Sequence, residues 1–461
     1  IDNEVGQSAV RISANDGSSI EVLSDNDNKI IFPQSEWKDL ISGHINDTLS
    51  VDVYLKDKEW IHYPKFTIAV APDSIDPFFT CRLIEPLYNN TGKIALAQFG
   101  LEDNKLKILA DNKRYIQDAT HIGPKCVNCH TKQRNKSGNS LFFCREKNGG
   151  LVLTYNNKTR IIETKVGDMR VGAVFSAWHP NKPYIAFSNN KVMQIFMSNC
   201  TERIEPIDYY SDLLMYDIER NEVSYICKTP DVMETNPYWS PDGKYIYYCS
   251  SDTNLYMNAG NYRKMKYDLM RIAFDEDSMA WGKPETVFAA TKINKSASKP
   301  KVSPDGRYVL FTLSEYSGYH YTHTDTDLYL FDLQTDSCRS LSNINTDQAE
   351  GISDWSSNGR WILVSSRIDG CFARIFFSYF DKNGVEHKRF QLPHENPSFD
   401  REITKNYNAP EFGIFDVQMS PQQLWDILDA NDVLRANYKG TIDYEVDASS
   451  GASTMINNTK K

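Results

Sequence analysis

Cys126-Val127-Asn128-Cys129-His130 is the one local pattern in this chain with a defined chemical meaning. Two cysteines three apart can form thioethers to the two vinyl groups of one porphyrin, and a histidine directly after the second can reach the iron. With nine cysteines and nine histidines in 461 residues, random placement gives the pattern about 0.004 times. Chance is a poor explanation, but the spacing does not separate haem from other cysteine and histidine chemistry.

Four readings compete. In the first, haem c is attached to Cys126 and Cys129 with His130 as the axial ligand. Lys125, Lys132, Arg134 and Lys136 would then place positive charge where two propionates need partners. His179, His121 and Met169 are the candidates for a sixth ligand, although His179 reads more simply as a turn residue. In the second, Cys126, Cys129 and Cys144, with His121 or His130, hold a structural zinc ion. In the third, Cys126 and Cys129 form a redox-active disulfide, but nothing around Gly123-Pro124-Lys125 predicts the helix N-terminus such pairs work from. In the fourth, the motif is structural and stiffens a loop. Cys81, Cys227, Cys249, Cys338 and Cys371 fall in apolar, strand-like runs and read as small buried hydrophobes.

The elements that must position these residues are announced by a repeat. Its clearest copy is Trp239-Ser240-Pro241-Asp242-Gly243-Lys244-Tyr245-Ile246-Tyr247-Tyr248. Others begin at Trp178, Val302 and Trp355, a looser one at Val70, and a distorted sixth carries the cysteine motif where its turn should be. In each unit a strand ends at Trp or Val, and Ser-Pro-Asp-Gly supplies a tight turn in which Pro presets φ and Gly takes the crowded position. Three more strands follow, the third tending to open with Asp-Leu, as at Asp212, Asp268 and Asp327. Four antiparallel strands per unit at intervals of roughly 50 to 60 residues predict an all-β fold, a β-propeller. Six anchor positions (Val70, the Cys129 region, Trp178, Trp239, Val302, Trp355) predict six blades.

These repeats resemble the Pro-Asp variant of the WD-type repeat found in TolB and in the propeller domains of prolyl oligopeptidase-type peptidases. The resemblance covers about 330 residues. With Asp76-Pro77-Phe78 and the Cys-x-Asn-Cys-His motif, the chain also resembles TolB-like proteins of Bacteroidetes cell envelopes. That resemblance implies export, to the periplasm or in association with the outer membrane, and assigns no reaction.

Three regions are expected. Residues 1–62 read as a small β-rich domain, a sandwich, with a helical turn capped by Ser35. Residues 63–395 form the six-bladed propeller. Residues 396–461 are a C-terminal extension with one helix, capped by Ser420 with Pro421 in its first turn, and a frayed polar end. The chain begins at Ile1 rather than Met, as expected of a processed or trimmed form from which an export signal or lipid anchor has been removed.

A net charge of −10 argues against nucleic acid as the main partner, and no apolar run is long enough to span a bilayer. Gly-x-Ser-x-Gly, P-loop, Gly-x-Gly-x-x-Gly and His-Glu-x-x-His signatures are all missing from the sequence. Asp325 and Asp327 lack the rest of a calcium loop and read as turn caps. The aromatic stretch Tyr316–His323 is a long loop, able to stack on a sugar or peptide, or simply packed. The expected function is a non-catalytic binding module that presents one propeller face to a protein or glycan partner, with electron transfer through one haem c as the alternative.

Overall fold

The computed structural model describes residues 7–25, 30–56, 58–86, 93–116, 126–145, 148–169, 171–196, 204–252, 261–369, 372–394 and 399–440. The chain divides into two compact units, Ile1–Ile75 and Asp76–Lys461.

The first unit is one antiparallel sheet and a helix rather than a sandwich. Gln7–Ser13 lies between Ser19–Asp25 and Thr48–Lys56, and Thr48–Lys56 pairs on its far side with both Trp60–His62 and Phe66–Ala69. The alternation in Leu49-Ser50-Val51 turns Leu49 and Val51 to one face, where they pack with Ile12, Ile20 and Leu40. Leu40 comes from the helix Gln34–Gly43, which starts after Pro33 and has no side-chain cap, so Ser35 does not play the expected part. Because Phe66–Ala69 belongs to this sheet, the unit runs past residue 62.

Among the described residues the second unit contains six sheets built on four antiparallel strands, three of which carry a fifth strand, and a separate two-stranded hairpin. Each regular repeat gives one sheet in the expected way. In the fourth, Val232–Trp239, Tyr245–Asp252 and Asp268–Asp275 pair in order, and Glu285–Phe288 closes the sheet. The turn chemistry is repeated from sheet to sheet. Ser240 Oγ donates to Asp242 Oδ1 at 2.6 Å and accepts from the Tyr245 amide at 2.9 Å. Ser303 with Asp305, and Ser356 with Asn358, do the same. The innermost strands pack in a closed cycle: Cys126–Gln133, Val174–Trp178, Val232–Trp239, Ser296–Val302, Glu350–Trp355, Asn406–Gly413, and back to Cys126–Gln133. The fold is therefore a β-propeller, in which each sheet's flanks are buried by its neighbours.

The ring closes differently from the repeat reading. Val70 packs with the first unit and its amide bonds Asp47 there, so it anchors no blade. The inner strand beside Phe78–Ile84 is Asn406–Gly413, which pairs Phe412 with Phe79. Residues expected in a separate C-terminal extension thus complete the first sheet, and later segments bind the ring's outside. Val433–Arg435 adds in parallel to Lys158–Glu163, and Asn437–Tyr438 to Glu222–Cys227. The helix Pro421–Ala430 is capped by Ser420, which accepts from the Gln423 amide, and buries Leu424 and Leu428 between the first two sheets. The third sheet carries an unforeseen hairpin, Lys191–Phe196 with Ile204–Tyr210, between its second and third strands. Among the described residues no helix is long and apolar enough to cross a membrane.

Candidate functional site

The cysteine motif is an inner-strand bulge. Asn128 pairs with Phe143 and Thr131 with Leu141, which leaves Cys129 and His130 opposite Phe142 alone. Cys129 takes the left-handed conformation, φ +50°. The same two-against-one step, with a left-handed first residue, recurs at Phe175, Asn236, Lys299 and Ala409. In the sixth sheet it falls at Gly351 and Ile352. His130 stands where three other sheets have Pro237, Pro300 and Pro410, a residue suited to a bulge because it has no N–H to leave unpaired. Lys132 occupies the anchor slot of Trp178, Trp239, Val302, Trp355 and Phe412.

The motif's side chains diverge. Cys126 is fully buried in a cluster with Ile84, Leu96, Phe142 and Cys144, whereas Cys129 leans on another built from Leu141, Phe143, Met169 and Trp178. Cys129 is a free thiol. Both ring nitrogens of His130 are buried without a hydrogen-bond partner. Burial, helped by the charges of Lys132 and Arg82 and opposed by Glu411, holds its pKa down to about 4. Lys132, expected near a propionate, is buried and paired with Glu411 at 3.4 Å, and donates to Thr80 Oγ1 at 2.7 Å. Two thioethers to one porphyrin need both thiols at its edge, and here they sit in separate packed clusters. The residues present do not fit a covalent haem. His121 and Lys125 lie outside the described residues. Among the described residues no three His, Cys, Asp or Glu side chains gather as a metal site; Cys126 and Cys144 share a cluster that Cys129 does not.

His179 is a turn residue. Its Nδ1 accepts from the amides of Asn181 and Lys182 at 3.1 and 3.0 Å, inside its own turn, where the serines of the other copies instead accept from the amide five residues on. The ring is buried edge-on against Trp239, and burial foremost lowers its pKa to about 4. Met169 is buried in the cluster that Cys129 touches. Cys81 and Cys249 are fully buried, as their apolar runs imply, and Cys227 and Cys338 partly so; Cys371 is outside the described residues. Asp325 accepts from Ser314 Oγ and the Glu315 amide, a capping arrangement.

The bulge residues bring together groups the sequence reading missed. Lys299 Nζ, in the fifth sheet, donates to Asn236 Oδ1 in the fourth and lies 3.6 Å from the centre of the Phe175 ring in the third. To reach across two sheets, these side chains must face the ring's axis. Tyr319, 5.4 Å away, forms a second wall. Lys299 is only half-buried by residue, but its ammonium head is desolvated, and desolvation, opposed by Cys129, Asp208 and Cys249, lowers its pKa to about 8. Behind Tyr319 the inserted hairpin contributes Asp208, which accepts from Tyr319 OH at 3.2 Å and Tyr267 OH at 3.4 Å and is pushed up by burial to about 6. Glu205 of the same strand meets His323 Nε2 at 2.8 Å and Tyr316 OH at 3.2 Å. The 316–323 loop is thus packed inward, with Tyr319, His320, Thr322 and His323 all buried. The signal that could have marked this belt is the proline two residues before the anchor in Asn236-Pro237, Lys299-Pro300 and Ala409-Pro410.

At the turn side of the second and third sheets lies a polar depression of about 400 Å³, lined by Gln133, Arg134, Lys136, Asn139, Asn157 and Asn181 among others. Gln133 and Asn139 are fixed: Gln133 donates to the carbonyls of His179 and Lys182, and Asn139 donates to Gln133. Arg134, Lys136, Asn157 and Asn181 are exposed.

Fold and site together define a β-propeller with a belt of bulge residues around Lys299 and a polar depression at the turn side of two of its sheets. TolB from Acinetobacter baumannii is similar over 83% of this chain and 85% of its own, at 13% identity and a TM-score of 0.45. A TolB from Agrobacterium tumefaciens matches over 77% and 95%, at 12% identity and a TM-score of 0.39. A puromycin-hydrolyzing peptidase from Mycobacterium tuberculosis matches over 70% of this chain and 53% of its own, at 9% identity and a TM-score of 0.40. At these identities the likeness is one of fold. No family model matches the chain, and no curated protein matches it.

Proposed function

We propose that the chain is a non-catalytic binding module of the cell envelope whose propeller takes an acidic protein segment at the polar depression between the second and third sheets. One observation carries this reading: Arg134 and Lys136 stand exposed over the fixed amides Gln133 and Asn139. Arg134 and Asn135 have φ +50° and +60°, the tight two-residue turn that twists with its strands, so the cation is presented from a stiff hairpin. Guanidinium and ammonium groups held this way offer charge-assisted hydrogen bonds to carboxylates. The envelope location is supported by the resemblance of the repeats and is tested by fractionating the producing cells.

Calorimetry with a hexaglutamate peptide and with an oligogalacturonate tests the site. Binding of the peptide that is abolished in Arg134→Glu/Lys136→Glu, with the melting temperature kept, supports the reading. Binding of the uronate alone reassigns the site to an acidic glycan, and binding of neither overturns it.

A further inference from the structure

We propose that Lys299 is a carbonyl-reactive lysine, condensing with a small aldehyde or ketone that carries a flat apolar body and enters the ring between Phe175 and Tyr319. The inference is independent of the rim site above.

The geometry is unusual for a lysine that serves only packing. Its nitrogen has an amide oxygen and two aromatic rings as partners, Asn236, Phe175 and Tyr319, where Lys132 and Lys301 on the neighbouring inner positions are each held by a carboxylate, Glu411 at 3.4 Å and Asp354 at 3.3 Å. A carboxylate within 4 Å stabilises the ammonium and suppresses nucleophilicity; at Lys299 the two ring faces attract the ammonium only weakly by comparison, and desolvation favours the neutral amine. The lowered pKa agrees with this. The backbone is committed to the arrangement as well. A lysine at φ +54° is strained relative to glycine or asparagine, and that conformation aims the side chain at the axis. The titratable groups around it are Cys129 and Lys301 on inner strands, Cys249 on a second strand, Asp208 on the inserted hairpin, and Tyr319 and His320 on the 316–323 loop.

The chemistry balances without an oxidant or reductant. The neutral nitrogen of Lys299 attacks the carbonyl carbon, and a proton passes from nitrogen to the carbonyl oxygen. The carbinolamine then loses water to leave an imine. The hydroxyl departs as water with a proton taken from solvent, and the nitrogen returns its remaining proton to solvent.

The test uses the full chain with 4-hydroxybenzaldehyde and sodium cyanoborohydride, reading sites by peptide mass. Near pH 7 an amine titrating near 8 is about one-tenth neutral, against less than a thousandth for an ordinary lysine. Lys299 is therefore expected to label about tenfold or more faster than the exposed Lys244 and Lys388, with a rate that rises to a midpoint near pH 8. Lys299→Arg removes that site and leaves the others. Labelling of Lys299 at or below the rate of Lys244 overturns the proposal, and so does a labelling midpoint above pH 10. Both are read on the unmodified sequence, so they stand even if the variant fails to fold.

Discussion

The indole N–H of Trp355 donates to the carbonyl of Lys301, 3.2 Å away in the preceding sheet. Trp178 reaches back to Thr131 in the same way at 3.3 Å. Trp239, in the same slot, has no acceptor for its buried Nε1. Substitution by phenylalanine removes similar ring area at Trp355 and Trp239, but only at Trp355 does it strand a carbonyl. Trp355→Phe is expected to cost about 1 kcal/mol more than Trp239→Phe in urea unfolding.

Asp76 ties three sheets where the ring closes. Its carboxylate accepts from the amide and hydroxyl of Ser357 at 2.7 and 2.5 Å and from Asn135 Nδ2 at 3.3 Å. Asp76→Ala should cost about 2 to 3 kcal/mol, because three hydrogen bonds to a buried carboxylate are lost. A loss below about 0.5 kcal/mol would show the clasp to be redundant.

Gly243 and Gly306 both sit at φ +75°, but their surroundings differ. A Cβ on Gly243 would stand 2.3 Å from His179 Nε2, whereas one on Gly306 would find Pro241 Cδ at 4.0 Å. Gly306→Ala should cost about 1 kcal/mol of backbone strain. Gly243→Ala should cost clearly more, since the buried imidazole must move as well, and chemical denaturation of the pair measures the difference.

His179 sets an acid limit. Its folded pKa, near 4, lies below the unfolded value of about 6.5, so the unfolded chain binds the extra proton first. This histidine's contribution is fully present above pH 6.5 and is lost as pH falls towards 4, when protonated Nδ1 can no longer accept from the amides of Asn181 and Lys182. Asp208, raised to about 6, works in the opposite sense over an overlapping range, so the comparison must be differential. Between pH 7 and 4.5, His179→Ser should lose about 2 kcal/mol less than the parent. Equal losses would show that this imidazole does not govern the acid limb.

The four regular repeats were legible because their information is local: Ser240, Pro241, Asp242 and Gly243 make one another's hydrogen bonds within a single turn. The first sheet was not. Its inner strand is 331 residues from its partner along the chain, as the Thr80–Glu411 bond shows, and Asn406–Gly413 lacks a Ser-Pro-Asp-Gly turn after its anchor because the chain there has no second strand to enter. Val70 was misplaced for the complementary reason: its Pro-Asp signature is only a linker into Phe78–Ile84. The cysteine motif read as chemistry because residue types were visible while the bulge that separates Cys126 from Cys129 was not. Lys299 was invisible because its meaning depends on Phe175 and Asn236, brought beside it only when the ring is complete.

The closing strand also sets the timing of biogenesis. Phe78–Ile84 emerges early from the ribosome and must wait for Asn406–Gly413. At 5 to 20 residues per second, that is a delay of about 17 to 66 seconds. Through that interval a nascent chain exposes the unpaired edge of Phe78–Ile84, an invitation to wrong pairing. A holding chaperone, or translocation in an unfolded state, would shield that edge until the last strand arrives.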